Sequence, residues 1–341
     1  MIKKMWPLLL GLIVAISCEA DAEKLGDLSI EEVFVHPQFE AKEPSEGSFS
    51  VLDSYLHLSW TKKGGIGAHI KVGSQSLKNV PVYFQSTPLS ELGFFEAYGF
   101  FHGVYGDISV GLVPIGYSIE GNKSESQLLL PRSLLFRERW TNLRDLGLSF
   151  RSSFSGWMSQ VTVHNGEGGT AQDGKTWTTM QWGWTDQEYF TWQVSAMAGG
   201  VDPLAMSQSQ TTLAGLDKTQ DVFWRIGGVS LEWNPHRWYS TLEFHYGEKE
   251  QNGEIIKFAT GHFDMAYRFA GDWQIIVRWD QMDPNGVKEG DQVTEYSLAF
   301  AFYGENSNSR VMLVATAVEE ESLENNNNRI LLEWRLTPIS K

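Results

Sequence analysis

Basic side chains are the residues of this chain best placed to do chemistry. Lys123, Arg132, Arg137, Arg139 and Arg144 fall within one segment of thirty residues, 115–144. Lys71, Arg225, Arg268, Arg278, Arg310, Arg329 and Arg335 stand at alternate positions of extended segments. Guanidinium and ammonium groups gathered in a narrow aqueous passage focus the field and raise the local concentration of anions. The same residues also suit a plainer role, as wetted wall positions pairing across strands. No constellation for bond-breaking chemistry stands beside them. The eight histidines, at 36, 57, 69, 102, 164, 236, 245 and 262, are scattered. His-Glu-x-x-His and Gly-x-Ser-x-Gly are both missing. The sequence therefore calls for no enzyme, no cofactor and no metal, with His164 or His245 beside a serine the best footing for a hydrolase.

The elements that must position these cations are strands. Residues 273–282, Trp-Gln-Ile-Ile-Val-Arg-Trp-Asp-Gln-Met, put Trp273, Ile275, Val277 and Trp279 on one face and Gln274, Arg278 and Asp280 on the other. The alternation recurs through the mature chain, as in Leu52/Ser54/Leu56/Leu58/Trp60, Phe95/Ala97/Gly99/Phe101 and Ile330/Leu332/Trp334/Leu336. No amphipathic helix is left to cover so many apolar faces. A closed barrel with lipid outside and water inside removes every sheet edge and covers every apolar face. The expected fold class is all-β, a transmembrane antiparallel barrel.

Connections alternate in length. Short turns are expected at 62–65, 104–106, 154–156, 185–187, 234–236, 270–272 and 304–307. Longer polar segments lie at 73–92, 115–144, 165–176, 199–220, 247–254, 283–291 and 319–328. Outer-membrane barrels keep short turns on the periplasmic side and long loops outside, which fixes the direction of every strand. The strand at 50–60 then runs inward and must follow an outward one, for which Ile30–Pro37 is the candidate. The count becomes about sixteen, wide enough for an aqueous channel. At Gly227-Gly228 the apolar phase changes, from Val222/Trp224/Ile226 to Val229/Leu231/Trp233, and a β-bulge is expected there.

Lys3 and Lys4, the apolar run 6–16 and Ala20-Asp21-Ala22 form a secretory signal peptide over 1–22. Residues 23–341 then make one barrel domain, with 115–144 the candidate constriction loop. Cys18, the sole cysteine, either leaves with the leader or is acylated after a lipoprotein-type cleavage. Aromatics form 13% of the chain, with 14 Trp, which suits girdles at two membrane interfaces. A net charge of −15 excludes a nucleic-acid partner, which needs basic patches. The expected surroundings are outer-membrane lipid and lipopolysaccharide, and Asp283-Pro284-Asn285-Gly286 reads as a turn or a cation-holding loop.

Residues 128–136 are unusually apolar for a water-facing loop. Folded into the lumen, 115–144 would bury them and hang its arginines in the pore; an external loop packed on its neighbours is the other reading. The run Arg137-Glu138-Arg139-Trp140-Thr141-Asn142-Leu143-Arg144-Asp145-Leu146-Gly147-Leu148 resembles the Glu-Arg…Arg-Asp-x-Gly signature of the phosphate-selective porin O and P family. Phe95-Glu96-Ala97-Tyr98 and Val110-Gly111-Leu112-Val113-Pro114 are similar in order. That resemblance, detailed over roughly 90–165, implies a homotrimeric sixteen-stranded porin whose third loop, 115–144, constricts the channel. Two features depart from the family pattern: 115–144 holds one lysine, Lys123, beside Glu120, Glu125 and Glu138, and the chain ends Thr-Pro-Ile-Ser-Lys without a terminal aromatic residue. The expected function is passive diffusion of small hydrophilic solutes or ions through an outer-membrane barrel. The alternatives are a non-conducting barrel for adhesion or lipid hydrolysis, and a soluble tryptophan-rich sandwich.

Overall fold

The computed structural model describes residues 26–42, 48–51, 54–74, 92–138, 140–166, 174–186, 188–201, 221–304, 309–321 and 328–340. The expected leader at 1–22 with Cys18, most of the 73–92 and 199–220 connections, and Arg139 lie outside the described residues. Everything else is organised by one antiparallel sheet. Its first strand, β1, has two halves, Asp27–Val35 and Pro37–Lys42, and β2 likewise comprises Ser48–Val51 and Ser54–Lys62. There follow β3 (Ile66–Ser74), β4 (Leu92–Gly103), β5 (Gly106–Pro114), β6 (Arg144–Phe154), β7 (Trp157–His164), β8 (Trp177–Thr185) and β9 (Phe190–Val201). The second half holds β10 (Val222–Trp233), β11 (Trp238–Gln251), β12 (Glu254–Ala270), β13 (Trp273–Asp283), β14 (Val293–Tyr303), β15 (Ser309–Glu320) and β16 (Arg329–Ser340). Each strand pairs with its neighbours in sequence, and β1 pairs with β16 at Glu32↔Ser340 and Arg329↔Lys42. The sheet therefore closes as a sixteen-stranded barrel without an edge. The expected first strand at Ile30–Pro37 sits inside β1.

Alternation sorts the side chains as the sequence requires. Phe263, Met265, Trp273, Trp279, Tyr296, Leu298, Phe300, Leu313 and Leu332 are exposed on the outer face. Their neighbours Asp264, Gln274, Arg278, Asp280, Glu295 and Glu333 are buried on the inner one. Aromatic pairs collect where the tight turns are. Trp157 stacks on Trp182 at 4.9 Å, Trp238 meets Tyr267 at 4.5 Å, and Trp273 meets Phe302 at 5.0 Å. That belt is the girdle of one membrane interface.

Three expectations about strands change. At Gly227-Gly228 the ladders run through without a shift, Ala196↔Gly227 and Ser195↔Gly228 on one side, Gly227↔Tyr246 and Gly228↔His245 on the other. The apolar phase switches there because Trp224 and Ile226 are buried inside the barrel while Val229, Leu231 and Trp233 face out. A real irregularity lies at Phe95: Lys71 pairs with Glu96 but Val72 pairs with Phe94. Phe95 and Glu96 are both buried as a result, so Phe95 leaves the outward row of Ala97, Gly99 and Phe101. Finally, 247–254 is no loop. β11 and β12 continue to Gln251↔Glu254 and turn through Asn252 (φ 56°) and Gly253 (φ 78°), the left-handed pair of a two-residue hairpin.

Candidate functional site

The connection between β5 and β6 folds into the barrel. It carries two single-turn helices, α1 (Ile119–Asn122) and α2 (Leu134–Arg137), and a 3₁₀ turn at Glu125–Gln127. Its apolar residues do what a hydrophobic segment with no lipid to face must do. Leu134, Leu135, Phe136, Trp140 and Leu143 pack on Trp177, Met197, Val222, Trp224, Ile226, Phe258 and Met282 of the inner wall. Trp140 lies 4.8 Å from Phe258 and 5.3 Å from Trp224, ring to ring. Leu130 meets a second apolar patch of Ile276, Ala299, Ala301, Met312 and Val314. Those wall residues explain the phase change in β10: where the loop lies against the wall, the inner face is apolar too.

Polar anchors complete the attachment. Arg310 Nη2 donates to the Leu128 carbonyl at 2.7 Å, and Arg335 Nη1 donates to the carbonyls of Glu125 and Leu128 at 3.0 and 2.5 Å. Arg278 donates to the Pro131 carbonyl while gripping Asp264 at 2.5 and 2.7 Å. The Glu120 N–H donates to Glu243 Oε1 at 2.7 Å, and the Leu134 N–H to Asp280 Oδ2 at 2.7 Å. Buried carbonyls and amides need such partners, since an unmet one costs about 1–3 kcal/mol.

Among the described residues, the loop's own cations do not hang free. Arg132 is buried within the loop, Nε 2.6 Å from Glu125 and the other two nitrogens each 2.8 Å from the carbonyls of Glu120 and Lys123. Arg137 forms a two-pronged pair with Glu295 at 2.6 and 2.7 Å, and Arg329 holds the same carboxylate at 2.6 Å. Arg144 Nε sits 2.9 Å from Glu96. Lys123 binds Glu232 and the Tyr239 hydroxyl. Burial alone would raise the Glu125 carboxyl, but the adjoining Arg132 guanidinium outweighs it and holds that group below the usual carboxylate range.

Of the wall cations, Lys71 lies 3.7 Å above the Tyr55 ring and Arg268 4.7 Å above Tyr303. Arg225 needs correction: with Trp224 turned inward, it stands on the outer face, exposed and paired with Glu248 at 2.8 Å.

The loop covers the wall on the β8–β16 side and leaves a gap of about 510 Å³ on the other. Asn122, Lys123, Ser124, Ser126 and Gln127 form the loop side of that gap; Glu31, Glu32, His57, Lys71, Glu96, Arg144 and Arg151 form the wall side. Behind it His57 Nε2 approaches His69 Nδ1 at 3.2 Å, and His69 Nε2 lies 2.9 Å from Glu96. Glu31, Glu32 and His57 were not singled out from the sequence, although His57 alternates with Leu56 and Leu58 and so had to face inward. His164 is buried between Asp145 Oδ2 and Thr179 Oγ1, both at 2.9 Å, where it braces the loop's return into β6. His245 is buried between Tyr117 and Glu243. Neither borders the gap.

A closed sixteen-stranded barrel with the connection between its fifth and sixth strands folded inside has the architecture of bacterial outer-membrane porins. Solved structures agree. OmpTdeltaL8, a loop L8 deletion mutant of an outer membrane protein of Vibrio cholerae, matches with a TM-score of 0.68 at 9% identity, over 92% of this chain and 99% of that chain. An anion-selective porin from Comamonas acidovorans matches at 0.64 and 9%, over 91% and 100%. The outer membrane channel DcaP of Acinetobacter baumannii matches at 0.64 and 11%, over 93% and 98%. No family model and no curated protein sequence matches the chain.

Proposed function

We propose that this chain is an outer-membrane porin through which small hydrophilic solutes and ions diffuse passively. The observation that carries the reading is the polar gap of about 510 Å³ left beside an inserted loop inside a closed barrel. Water fills such a gap, and solutes small enough to pass follow their gradients with no coupling to an energy source. The exposed apolar belt suits outer-membrane lipid, and the leader read over 1–22 supports export of the chain toward that membrane.

The gap carries both signs, with Glu31, Glu32 and Glu96 facing Lys71, Lys123, Arg144 and Arg151. The pairing of Lys123, Arg132, Arg137 and Arg144 with carboxylates favours a general diffusion pore of weak ion selectivity over a phosphate-selective one. A homotrimer is the assembly we propose, by analogy with a trimer form described for the Vibrio cholerae OmpT protein.

Single-channel recording of the refolded mature protein in a planar bilayer under a salt gradient tests the reading. Stable steps with a small reversal potential are expected. Heat-modifiable, folded protein that never conducts would overturn it and leave a binding or adhesion barrel.

A further inference from the structure

Beneath the inserted loop lies a group of buried side chains that diffusion does not use. Glu120 of α1, Glu243 of β11 and His262 of β12 each offer one donor atom, and those atoms all lie within 4.8 Å of one another. We propose that they bind one divalent transition-metal cation of the Zn²⁺ class, and that the ion pins the loop to the barrel wall. The site stands on the position of the loop and is independent of conduction.

Geometry supports it first. His262 Nδ1 is 3.8 Å from Glu120 Oε2, too long for a hydrogen bond. It is close to the separation of about 3.3 Å that two ligands adopt around one tetrahedral zinc. The carboxylates are already held in place. The Ser133 N–H and hydroxyl donate to the two Glu120 oxygens at 2.8 and 2.5 Å, and His245 Nε2 lies 3.2 Å from Glu243 Oε2. Outer partners of this kind orient metal ligands.

Charge supports it next. Asp280 pairs with His262 across the ladder and is 1% exposed. Its Oδ2 accepts the Leu134 N–H, while Oδ1 has no hydrogen-bond partner among the described residues. Glu120, Glu243, Asp264 and Asp280 thus have two guanidiniums nearby, that of Arg278, engaged by Asp264 and 4.0 Å from Glu120, and that of Arg137, which acts on Asp280 but is held by Glu295. Buried carboxylates in such excess need further positive charge. Space is available as well: a cavity of about 20 Å³ touches Glu120, His262, Asp264, Arg278 and Lys123, the last of these held by Glu232. One water or ion needs about 10–15 Å³. An imidazole among carboxylates favours zinc, manganese or cobalt over magnesium or calcium.

The test uses full-length mature protein, refolded, stripped with chelator and exposed to Zn²⁺, with bound metal counted by mass spectrometry after desalting. One equivalent per chain is expected. His262→Ala and Glu243→Gln should each lose it, and His57→Ala, in a different part of the lumen, should keep it. Co²⁺ in the stripped wild-type protein should give the visible bands of a nitrogen–oxygen site, a readout that needs no variant to fold. Wild-type protein that retains no zinc and gives no cobalt bands overturns the proposal. So does equal retention by folded His262→Ala protein.

Discussion

Glu295 shows how single side chains decide whether the loop stays in place. It holds Arg137 of the loop and Arg329 of the wall together, with every contact at 2.6–2.7 Å. Removing one partner of a buried ion pair leaves the rest uncompensated, at about 3–5 kcal/mol. Glu295→Ala is therefore expected to lower the unfolding temperature and to add flicker to the open-channel current, both read on the refolded protein. Glu125 answers to pH. Because the folded protein holds its carboxyl below the usual range, the stabilisation it provides is complete above that range. It disappears only as pH falls through the depressed folded value. The loop should keep its near-ultraviolet circular dichroism through mild acid and lose it under stronger acid, and Glu125→Gln should abolish that transition.

At the scale of elements, the loop is fastened by an apolar inner wall that a barrel with an empty lumen would not need. Trp140→Ala removes the ring lodged between Trp224 and Phe258, a change costing about 3–5 kcal/mol in a packed core. With that anchor gone, conductance should rise and the third loop should become the first site of proteolysis. Gly228 makes a different prediction. A Cβ at this position would collide with the His245 ring, so Gly228→Val should displace His245 and with it Tyr117 of the loop. Impaired refolding, read as loss of the heat-modifiable band, is the expected result. The strands themselves were legible because lipid enforces period-two alternation, and Trp273, Val277 and Trp279 announce it. The direction of the apolar face in β10 was not legible. Val222, Trp224 and Ile226 have the same composition whether they meet lipid or a loop, and only the fold says which. Likewise the arginines of the wall could be placed by alternation, but alternation does not name the carbonyls of Glu125, Leu128 and Pro131 that occupy them. The Asn252-Gly253 turn was readable from its residue types and was obscured by the polar residues around it.

For the whole molecule, the loop lies to one side, so the barrel has a packed half and an open half. The open half is bounded by β1 to β6, and Glu31, Glu32 and Arg151 are the charges along it that stay within reach of solute, Lys71 being buried against Tyr55. Replacing Glu31 and Glu32 together with Gln should move the reversal potential toward anion selectivity while leaving stability near that of the parent. An unchanged potential would place the narrowest part of the path elsewhere.

The packed half also bears on assembly. Arg335 belongs to the last strand, and through the carbonyls of Glu125 and Leu128 it grips a segment synthesised some two hundred residues earlier. Its neighbour Glu333 meets His36 of the first strand at 2.8 Å, across the line where the sheet closes. The seam and the loop therefore share one set of bonds, and neither reaches its final form without the other. A chain arriving at the membrane therefore settles its interior and joins its ends in one step, which makes this barrel one that closes around its contents.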